Sequence, residues 1–408
     1  QPRSRGLGDV YKRQTSQDFD TLRQGAMFMT EQGAGSDVSA TEVTAAAQDD
    51  GTWRIHGDKW FCSNPDAGFA MVLARSESQP GLKGVSLFLL PRDLADGSHN
   101  HYRILRLKDK LGTRSMASGE IRLEGAVAWL VGERGRGFKH MADMINNSRL
   151  SNGMRAAGLM RRAVTEAVYV SQNRRAFGKR LIDMPLMQRQ LVKMTVWAEQ
   201  ARSVMFQTAR ALADADHGTA DPALARILTP LIKFRACRDA RKVTGDAMEV
   251  RGGCGYIEEW TEPRLVRDAH LGSIWEGTSN IVALDVLRAI KKENSLPALR
   301  DHIDRLLADG APCPPALAEA QAHALEQTFT LAEHAAQGDH AELARQAASL
   351  LYHAVSMAAL RWEATSAGLE SRAQLADQVL LHRLAPRDPY AIPPNESAAC
   401  QAILHYAL

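Results

Sequence analysis

The sequence predicts an α+β protein in which a small β-barrel or β-sandwich domain is followed by a four-helix bundle and an additional helical region. Runs of alternating or β-branched residues, separated by Gly, Pro, Asp and Asn, occupy residues 26–132. Long stretches with helical periodicity begin after residue 137. With 408 residues, of which 45% are hydrophobic, the chain can bury the cores of two or three domains.

The predicted strands all precede the predicted helices. A first strand leads into residues 33–37, whose sequence Gly-Ala-Gly-Ser-Asp is typical of a tight turn. The other strand-like runs are residues 38–47, 52–55, 59–63, 69–74, 85–90 and 120–123. We expect these strands to form one middle β domain, residues 15–135.

Three long helices are predicted at residues 138–172, 186–216 and 222–250. Pro185 and Pro222 favour helix starts, because proline suits the first helical turn, and Gly218 favours a helix end. With the helix that follows Glu276, they would form a four-helix bundle, residues 136–290. Residues 291–408 continue as helix with one apolar stripe, for which we predict a packing role: Leu343, Ala347, Leu350, Ala354 and Met357.

The first fourteen residues differ in character from the rest. Residues 1–14 lack an initiator Met and any periodicity, and they resemble translated adapter or vector sequence. We therefore expect the natural sequence to begin near Thr15 and to lack its own N-terminus.

Composition narrows the function classes. The net charge of +3 argues against a protein that coats nucleic acid or a membrane surface, because such binding needs a concentrated cationic face. The five cysteines are far apart, so the spacing favours neither a metal site nor a disulfide framework. No run reaches the roughly 18–20 apolar residues of a membrane span. A reducing cytoplasm is the expected location.

The most informative segment is residues 275–280, Trp-Glu-Gly-Thr-Ser-Asn, directly before an apolar helical stretch. Glu276 is a candidate general base, since a neighbouring aromatic ring favours a dry pocket and desolvation raises a carboxyl pKa toward neutrality. Gly277 lets the backbone approach a ligand, and Thr278 or Ser279 could cap the helix. On these residues alone, a loop glutamate beside a capped helix is an equally good interpretation.

Two further segments are weak individually. Residues 29–37 join a strand to a glycine-rich turn that exposes backbone amides, which suits a heteroaromatic ring or a phosphate, although a surface turn explains the glycines equally well. Residues 59–64, Lys-Trp-Phe-Cys-Ser-Asn, alternate aromatic and hydroxyl side chains.

In this order, the three segments resemble the acyl-CoA dehydrogenase family of flavoproteins. Further matches are residues 174–179 with Gln188, and residues 249–256 followed by 267–269; the resemblance covers residues 27–290. It implies FAD between the β domain and the helical bundle, and it implies that the family's N-terminal helical domain is missing from this sequence. It also implies that a glutamate removes the α-proton of an acyl-CoA thioester while the β-hydride passes to flavin N5.

The resemblance assigns roles by position. Glu276 would be the catalytic base, and Ser36, Arg149 and Gly277 would contact the acyl-CoA, Gly277 through its amide on the thioester carbonyl. Cofactor contacts, several of them often made to a neighbouring subunit, are implied for Met27, Met29, Thr30, Ser36, Phe61, Ser63, Arg174, Phe177, Gln188, Gly252, Gly253, Thr278 and Asn280. No metal is implied. Glu249 stands where Gln is frequent beside the FAD pyrophosphate, so it must turn away or pair with Arg251.

Residues 59–61, 106–115, 274–277 and 284–288 resemble the bacterial alkylation-response branch, as do the extra C-terminal helices. Some members of this branch bind DNA through a basic C-terminal region. Here residues 291–408 hold 9 Lys/Arg against 14 Asp/Glu, a net charge of −5, which argues against DNA binding.

The sequence therefore predicts an FAD-dependent acyl-CoA dehydrogenase. We expect it to form a homodimer or homotetramer and to pass electrons to an electron-transfer flavoprotein or another acceptor. The alternative is an alkylation-response flavoprotein associated with DNA, with little dehydrogenase activity.

Overall fold

The computed structural model describes residues 12, 14–338, 340–388, 390 and 396–407. Two compact units divide the chain at residues 145 and 146. The prediction for residues 1–14 falls almost wholly outside the described residues, and the domain limits at 135/136 and 290/291 stay predictions. None of the described helices combines the length and the apolar character needed to cross a membrane.

The described part of the first unit contains seven strands. They are β1 (Gly25–Phe28), β2 (Thr44–Ala47), β3 (Trp53–Ser63), β4 (Phe69–Arg75), β5 (Val85–Pro91), β6 (Tyr102–Leu107) and β7 (Ser118–Val131). Pairing runs from β4 through β5, β7, β3 and β2 back to β4, so the sheet is barrel-like. β1 lies parallel to β4, and β6 pairs with β7.

The strand predictions differ from the structure in three informative places. Within the predicted run 38–47, residues Val38–Ala40 form a 3-10 helix and only Thr44–Ala47 form a strand, β2. The runs 52–55 and 59–63 form one strand, β3, because irregularities in its pairing with β7 absorb the break in alternation. β6 was not predicted, since five of its six residues are exposed and it therefore lacks a buried apolar face.

The core of the first unit follows from alternation along the strands. Phe28, Ile55 and Ile121 belong to the cluster inside the sheet and are at most 1% exposed. A second cluster places Leu73 and Leu87 against the first turns of the helix that begins at Gly137. This packing holds the strand that carries Met27 and the segment after it.

The second unit is helical. Its helices are α1 (Gly137–Asn173), which begins before the unit boundary, α2 (Pro185–Asp216), α3 (Pro222–Arg251), α4 (Glu262–Gly272), α5 (Ser279–Glu293), α6 (Ser295–Ala308), α7 (Pro315–Ala336), α8 (Ala344–Ser366), α9 (Glu370–Val379) and α10 (Glu396–Ala407). A short hairpin, β8 (Arg175–Ala176) and β9 (Lys179–Arg180), lies between α1 and α2. The α+β fold class is confirmed.

Local chemistry explains where the long helices begin. Pro185 and Pro222 lie in the first turns of α2 and α3, as predicted, and the Asp221 carboxylate accepts a hydrogen bond of 2.8 Å from the Ala223 amide. Sequence analysis missed α4, a helix of only 11 residues, which is close to the shortest run that periodicity identifies as a helix.

The helices share one core. α3 packs against α2, α4 and α5, and the predicted apolar stripe of α8 lies in the same core, with Ala347, Ala354 and Met357 fully buried. The packing role predicted for this stripe is confirmed.

Candidate active site

The turn before α5 has an unusual backbone conformation. Glu276 has φ +53° and Gly277 has φ +97°, so two successive residues lie in the left-handed half of the conformational map. A non-glycine residue held there costs on the order of 1–3 kcal/mol and persists only when its surroundings enforce it. A Cβ at Gly277 would lie 3.1 Å from the Val282 side chain. Backbone geometry therefore accounts for glycine at position 277, whereas Glu276 is held in a strained conformation by its surroundings.

Three side chains of the second unit fix this turn. The Lys233 ammonium, on α3, donates a hydrogen bond to the carbonyl of Gly277. Arg149, on α1, directs Nε to the Glu276 carbonyl at 3.5 Å. The indole of Trp275 donates to the Asn152 side chain, also on α1. The turn is thus held by α1 and α3.

The carboxyl group of Glu276 is buried and incompletely bonded. Its Oε2 atom has no hydrogen-bond partner among the described residues. Burial raises the pKa of Glu276 above its ordinary value, against the opposing effects of the Ser148 hydroxyl, Arg149 and Lys233. The direction matches the expectation from the dry environment. A carboxylate of raised pKa with a free oxygen is suited to accept a proton from a bound molecule.

A buried ion-pair network lies beside the turn. Asp285, on α5, bonds Arg149 Nη1 at 2.5 Å and Arg226 Nη2 at 2.8 Å. Burial would raise the pKa of Asp285, but the hydrogen bonds and charges of these two arginines hold it below its ordinary value. Arg149 is therefore bonded to Asp285 and the Glu276 backbone, and its contact with CoA stays a prediction.

The start of α5 differs from the expectation. Thr278 occupies the N-cap position, but the described structure shows no side-chain capping bond there. The hydroxyl of Ser279 instead accepts a hydrogen bond from Arg238 at 3.3 Å. The predicted side-chain cap is therefore wrong: Thr278 takes the N-cap position without it, and the Ser279 hydroxyl bonds to α3. Thr278 and Asn280 are exposed.

The predicted flavin residues of the first unit surround β1 and β3. Met27 and Met29 pack against the cluster around Leu73, and the Thr30 carbonyl accepts a hydrogen bond of 2.8 Å from the Trp60 amide. The ring of Phe61 is 53% exposed. The two hydroxyl residues of this set are Ser36, which is exposed, and Ser63, which is half-buried.

A buried ion pair supports the segment that follows β1. Lys59 Nζ lies 2.6 Å from Glu31 Oε1, and Glu31 also accepts hydrogen bonds from the Glu42 and Val43 amides. Glu31 and Lys59 lie in two of the segments that carry the family resemblance, but their pairing is not predictable from the sequence. Their bonds tie the loop after β1 to β3.

The predicted contacts at residues 174–188 belong to another part of the second unit. Arg174 donates a 2.8 Å hydrogen bond to the Arg251 carbonyl, and the Phe177 ring is 97% exposed. Gln188 is buried, and its amide donates to the Ile182 carbonyl at 3.0 Å.

Gly252 and Gly253 directly follow α3. Gly252 has φ +72°, and a Cβ at Gly253 would meet nothing within 4 Å. At 1.5 Å per residue, Gly252 lies about 28 Å along the helix axis from Lys233. The residues around Gly252 and the residues around Glu276 therefore lie near different positions along the axis of α3.

Glu249 turns outward. It is exposed, whereas Arg251 pairs with Glu166 at 2.9 Å and with Glu262. Of the two arrangements considered for Glu249, pairing with Arg251 is therefore wrong.

Sequence reasoning missed three residues at the candidate site: Ser148, Lys233 and Asp285. Lys233 had a detectable signal, because it is a single cation within the apolar helical run 227–234, where every residue is buried. A lysine is rarely buried without a specific partner. The signal was available, but its partner, a backbone carbonyl, could not be predicted.

Comparisons with known proteins agree with this architecture. Residues 26–126 match the family model of the acyl-CoA dehydrogenase middle domain, and residues 135–291 match that of the acyl-CoA dehydrogenase C-terminal domain. The AidB protein of Escherichia coli is 40% identical over 267 residues, which are 65% of this chain and 48% of that protein. Acyl-CoA dehydrogenase family member 11 of Caenorhabditis elegans is 36% identical, over 74% of this chain and 50% of that protein.

A solved structure is also similar. The crystal structure of Caenorhabditis elegans ACDH-11 in complex with C11-CoA superposes with a TM-score of 0.87 at 31% identity, covering 94% of this chain and 68% of that one. The chain spans about half the length of the two curated relatives. Both family models and these relatives lead to one conclusion: the chain belongs to the acyl-CoA dehydrogenase family.

Proposed function

We propose that the protein is an FAD-dependent acyl-CoA dehydrogenase in which Glu276 removes the α-proton of an acyl-CoA thioester. One observation carries this proposal: the Glu276 carboxyl is buried, has an oxygen without a partner among the described residues, and has a raised pKa. A loop glutamate that only supported a helix cap would have no reason to keep an unbonded, desolvated oxygen.

The surroundings of Glu276 in the second unit explain how this carboxylate could act as the base. The pKa of an ordinary carboxyl is far below neutrality, so it is a weak proton acceptor near pH 7. Desolvation strengthens Glu276 as a base, and the fixed backbone at Glu276 and Gly277 limits the positions its carboxylate can take. We assign to the Gly277 amide a hydrogen bond to the thioester carbonyl, which would stabilise the charge that develops as the α-proton leaves.

The residues present fit a flavin nucleotide. Phe61 and Phe177 offer exposed aromatic rings for stacking, Gly253 leaves open space, and Arg174 brings a cation. When bound, FAD supplies the acceptor for the β-hydride. The assignment of Met27, Met29, Thr30, Ser36, Ser63, Gln188, Gly252, Thr278 and Asn280 as further contacts is part of the same proposal.

Assembly and electron transfer extend the proposal. The separation of about 28 Å along α3 between Lys233 and Gly252 is compatible with the cluster at Gly252 serving a neighbouring subunit. We therefore propose a homodimer or homotetramer, which light scattering coupled to gel filtration would measure. An electron-transfer flavoprotein is the proposed acceptor. C11-CoA, present in the nematode structure, makes medium-chain acyl-CoA esters sensible first substrates to assay.

The test is flavin reduction by an acyl-CoA in stopped flow. Glu276→Gln keeps the size and hydrogen-bonding shape but removes the proton acceptor, so the rate should fall by roughly 10²- to 10⁴-fold or more while acyl-CoA binding persists. Glu326→Gln, at a glutamate on α7 that is 66% exposed, serves as the matched control and should reduce flavin at the wild-type rate.

Two results would contradict the proposal. Equal rates in wild type and Glu276→Gln would assign proton removal to another group. No reduction by any acyl-CoA in the FAD-loaded wild type would instead favour the alternative, a flavoprotein of the alkylation response with little dehydrogenase activity.

A further inference from the structure

Lys233 is an unusual residue in the second unit. Its side chain is only 1% exposed, and the described structure shows one hydrogen bond for it, to the carbonyl of Gly277. Burying an ammonium group is costly, because the charge loses its hydration. A lysine that only filled space could be replaced by a methionine without that cost. Because Lys233 bonds the turn that carries Glu276, its burial indicates a specific role at this turn.

The charges around Lys233 come from three helices and the turn itself. Burial lowers the pKa of Lys233 to about 8; the Cys237 thiol on α3 and the Glu276 carboxylate oppose this effect, while Arg149 on α1 reinforces it. Asp285 on α5 is bonded to Arg149. Glu276 and Lys233 thus act on each other: the ammonium lowers the pKa of the carboxyl, and the carboxylate raises the pKa of the ammonium.

We propose that Lys233 is a positioning residue for the base, which fixes the left-handed turn at Glu276 and Gly277 by its hydrogen bond and keeps the buried carboxylate ionised by its charge. This inference rests on the proposed function of Glu276. Lys233 does not itself exchange a proton with the substrate. It acts on Glu276 through its hydrogen bond to the Gly277 carbonyl and through the electrostatic effect of its positive charge.

The first experiment uses Lys233→Met, which keeps length and removes charge and hydrogen bond. The rate of flavin reduction should fall about 10- to 100-fold with acyl-CoA affinity within about threefold of wild type, since misplacing a base affects the reaction more than binding. The acidic limb of the pH–rate profile should also move to higher pH, because the pKa of Glu276 rises when the cation is removed. Lys242→Met is the matched control, on the same helix but 58% exposed, and should change neither quantity.

A second measurement needs no activity. In the flavin-free protein labelled with ¹⁵N-lysine, one side-chain resonance should titrate near 8, since burial lowers the pKa of Lys233 to about 8, and this resonance should disappear in Lys233→Met. In Glu276→Gln, the midpoint of this resonance should fall, since the charge that stabilises the ammonium is gone. Because this comparison keeps Lys233 in place, it remains informative even if Lys233→Met does not fold.

The outcomes separate this inference from the proposed function. If no acyl-CoA reduces the flavin of the wild-type protein, the dehydrogenase proposal fails, and the interaction of Lys233 with Glu276 is then tested by the lysine titration alone. If no lysine resonance responds to Glu276→Gln, or if Lys233→Met reacts at the wild-type rate with an unchanged pH profile, the positioning role is overturned.

Discussion

Replacing Asp285 by Asn should destabilise the protein more than the loss of an ordinary ion pair. The Asp285 side chain is 8% exposed, and its partners Arg149 and Arg226 are 11% and 18% exposed. Removing the central carboxylate leaves the poorly hydrated Arg149 guanidinium without its carboxylate partner and leaves Arg226 with only Glu293, which is 44% exposed. Breaking a buried pair in this way typically costs about 3–5 kcal/mol. The matched control is Asp183→Asn, where a carboxylate that is 43% exposed pairs with Arg180, and about 0–1 kcal/mol is expected.

The assay is urea unfolding of wild type and both variants, followed by circular dichroism. The pH dependence adds a second check. The folded-state pKa of Asp285 is lowered, so its contribution is fully present above the ordinary carboxyl pKa of about 4 and is lost as pH falls through the lowered value. The difference between wild type and Asp285→Asn should therefore be constant from pH 8 to about pH 5 and shrink at lower pH. A difference below about 1 kcal/mol at pH 7, or one that grows on acidification, would refute the reasoning.

Two further predictions concern ligands. The flavin-free chain should take up FAD, and Phe61→Ala should raise the dissociation constant for FAD about 2- to 12-fold, because ring stacking is lost. The control Phe206→Ala, at a similarly exposed ring, should leave this constant unchanged. Equal FAD affinities of wild type and Phe61→Ala would show that Phe61 is not part of the site. Residues 291–408 should confer no strong DNA binding at physiological salt, because their net charge is −5. Residues 291–408 contribute to the core of the second unit, so deleting them is not a clean test. The test is instead the double replacement of Arg383 and Arg387 by Ala, because these two arginines line a cavity of about 560 Å³. A large loss of salt-sensitive DNA affinity in this variant would support the DNA-associated alternative.

Periodicity in the sequence was enough to predict the long helices. α1, α2 and α3 begin and end within a residue or two of the predicted limits, because each has a sustained apolar face and a proline or glycine at its boundaries. β6 and α4 were not predicted, for two different reasons. β6 buries almost none of its residues, and α4 is amphipathic but has only 11 residues, close to the shortest run that periodicity identifies as a helix. Only tertiary contacts reveal such elements.

The candidate site was predictable to the extent that it is encoded locally. The order Trp-Glu-Gly before a helix indicated a base and a close backbone approach, and the structure shows a left-handed turn there. The groups that hold this turn are distant in sequence: Lys233 lies 43 positions and Arg149 127 positions before Glu276. No periodic signal links residues at such separations. The ion pair of Glu31 with Lys59 escaped prediction for the same reason.

The placement of the cations decides what kind of group Glu276 can be. If Lys233 or Arg149 bonded the carboxylate directly, a short ion pair would stabilise the charged form and depress its pKa, and a depressed pKa would make a poor proton acceptor. Their hydrogen bonds go instead to the carbonyls of Glu276 and Gly277, and Arg149 gives its remaining bond to Asp285. The two cations thus reach the carboxylate only through space, and burial remains the larger influence on its pKa. The arrangement fixes the backbone of Glu276 with positive charge and still leaves the carboxylate basic, which is the combination that the proposed removal of a weakly acidic proton requires.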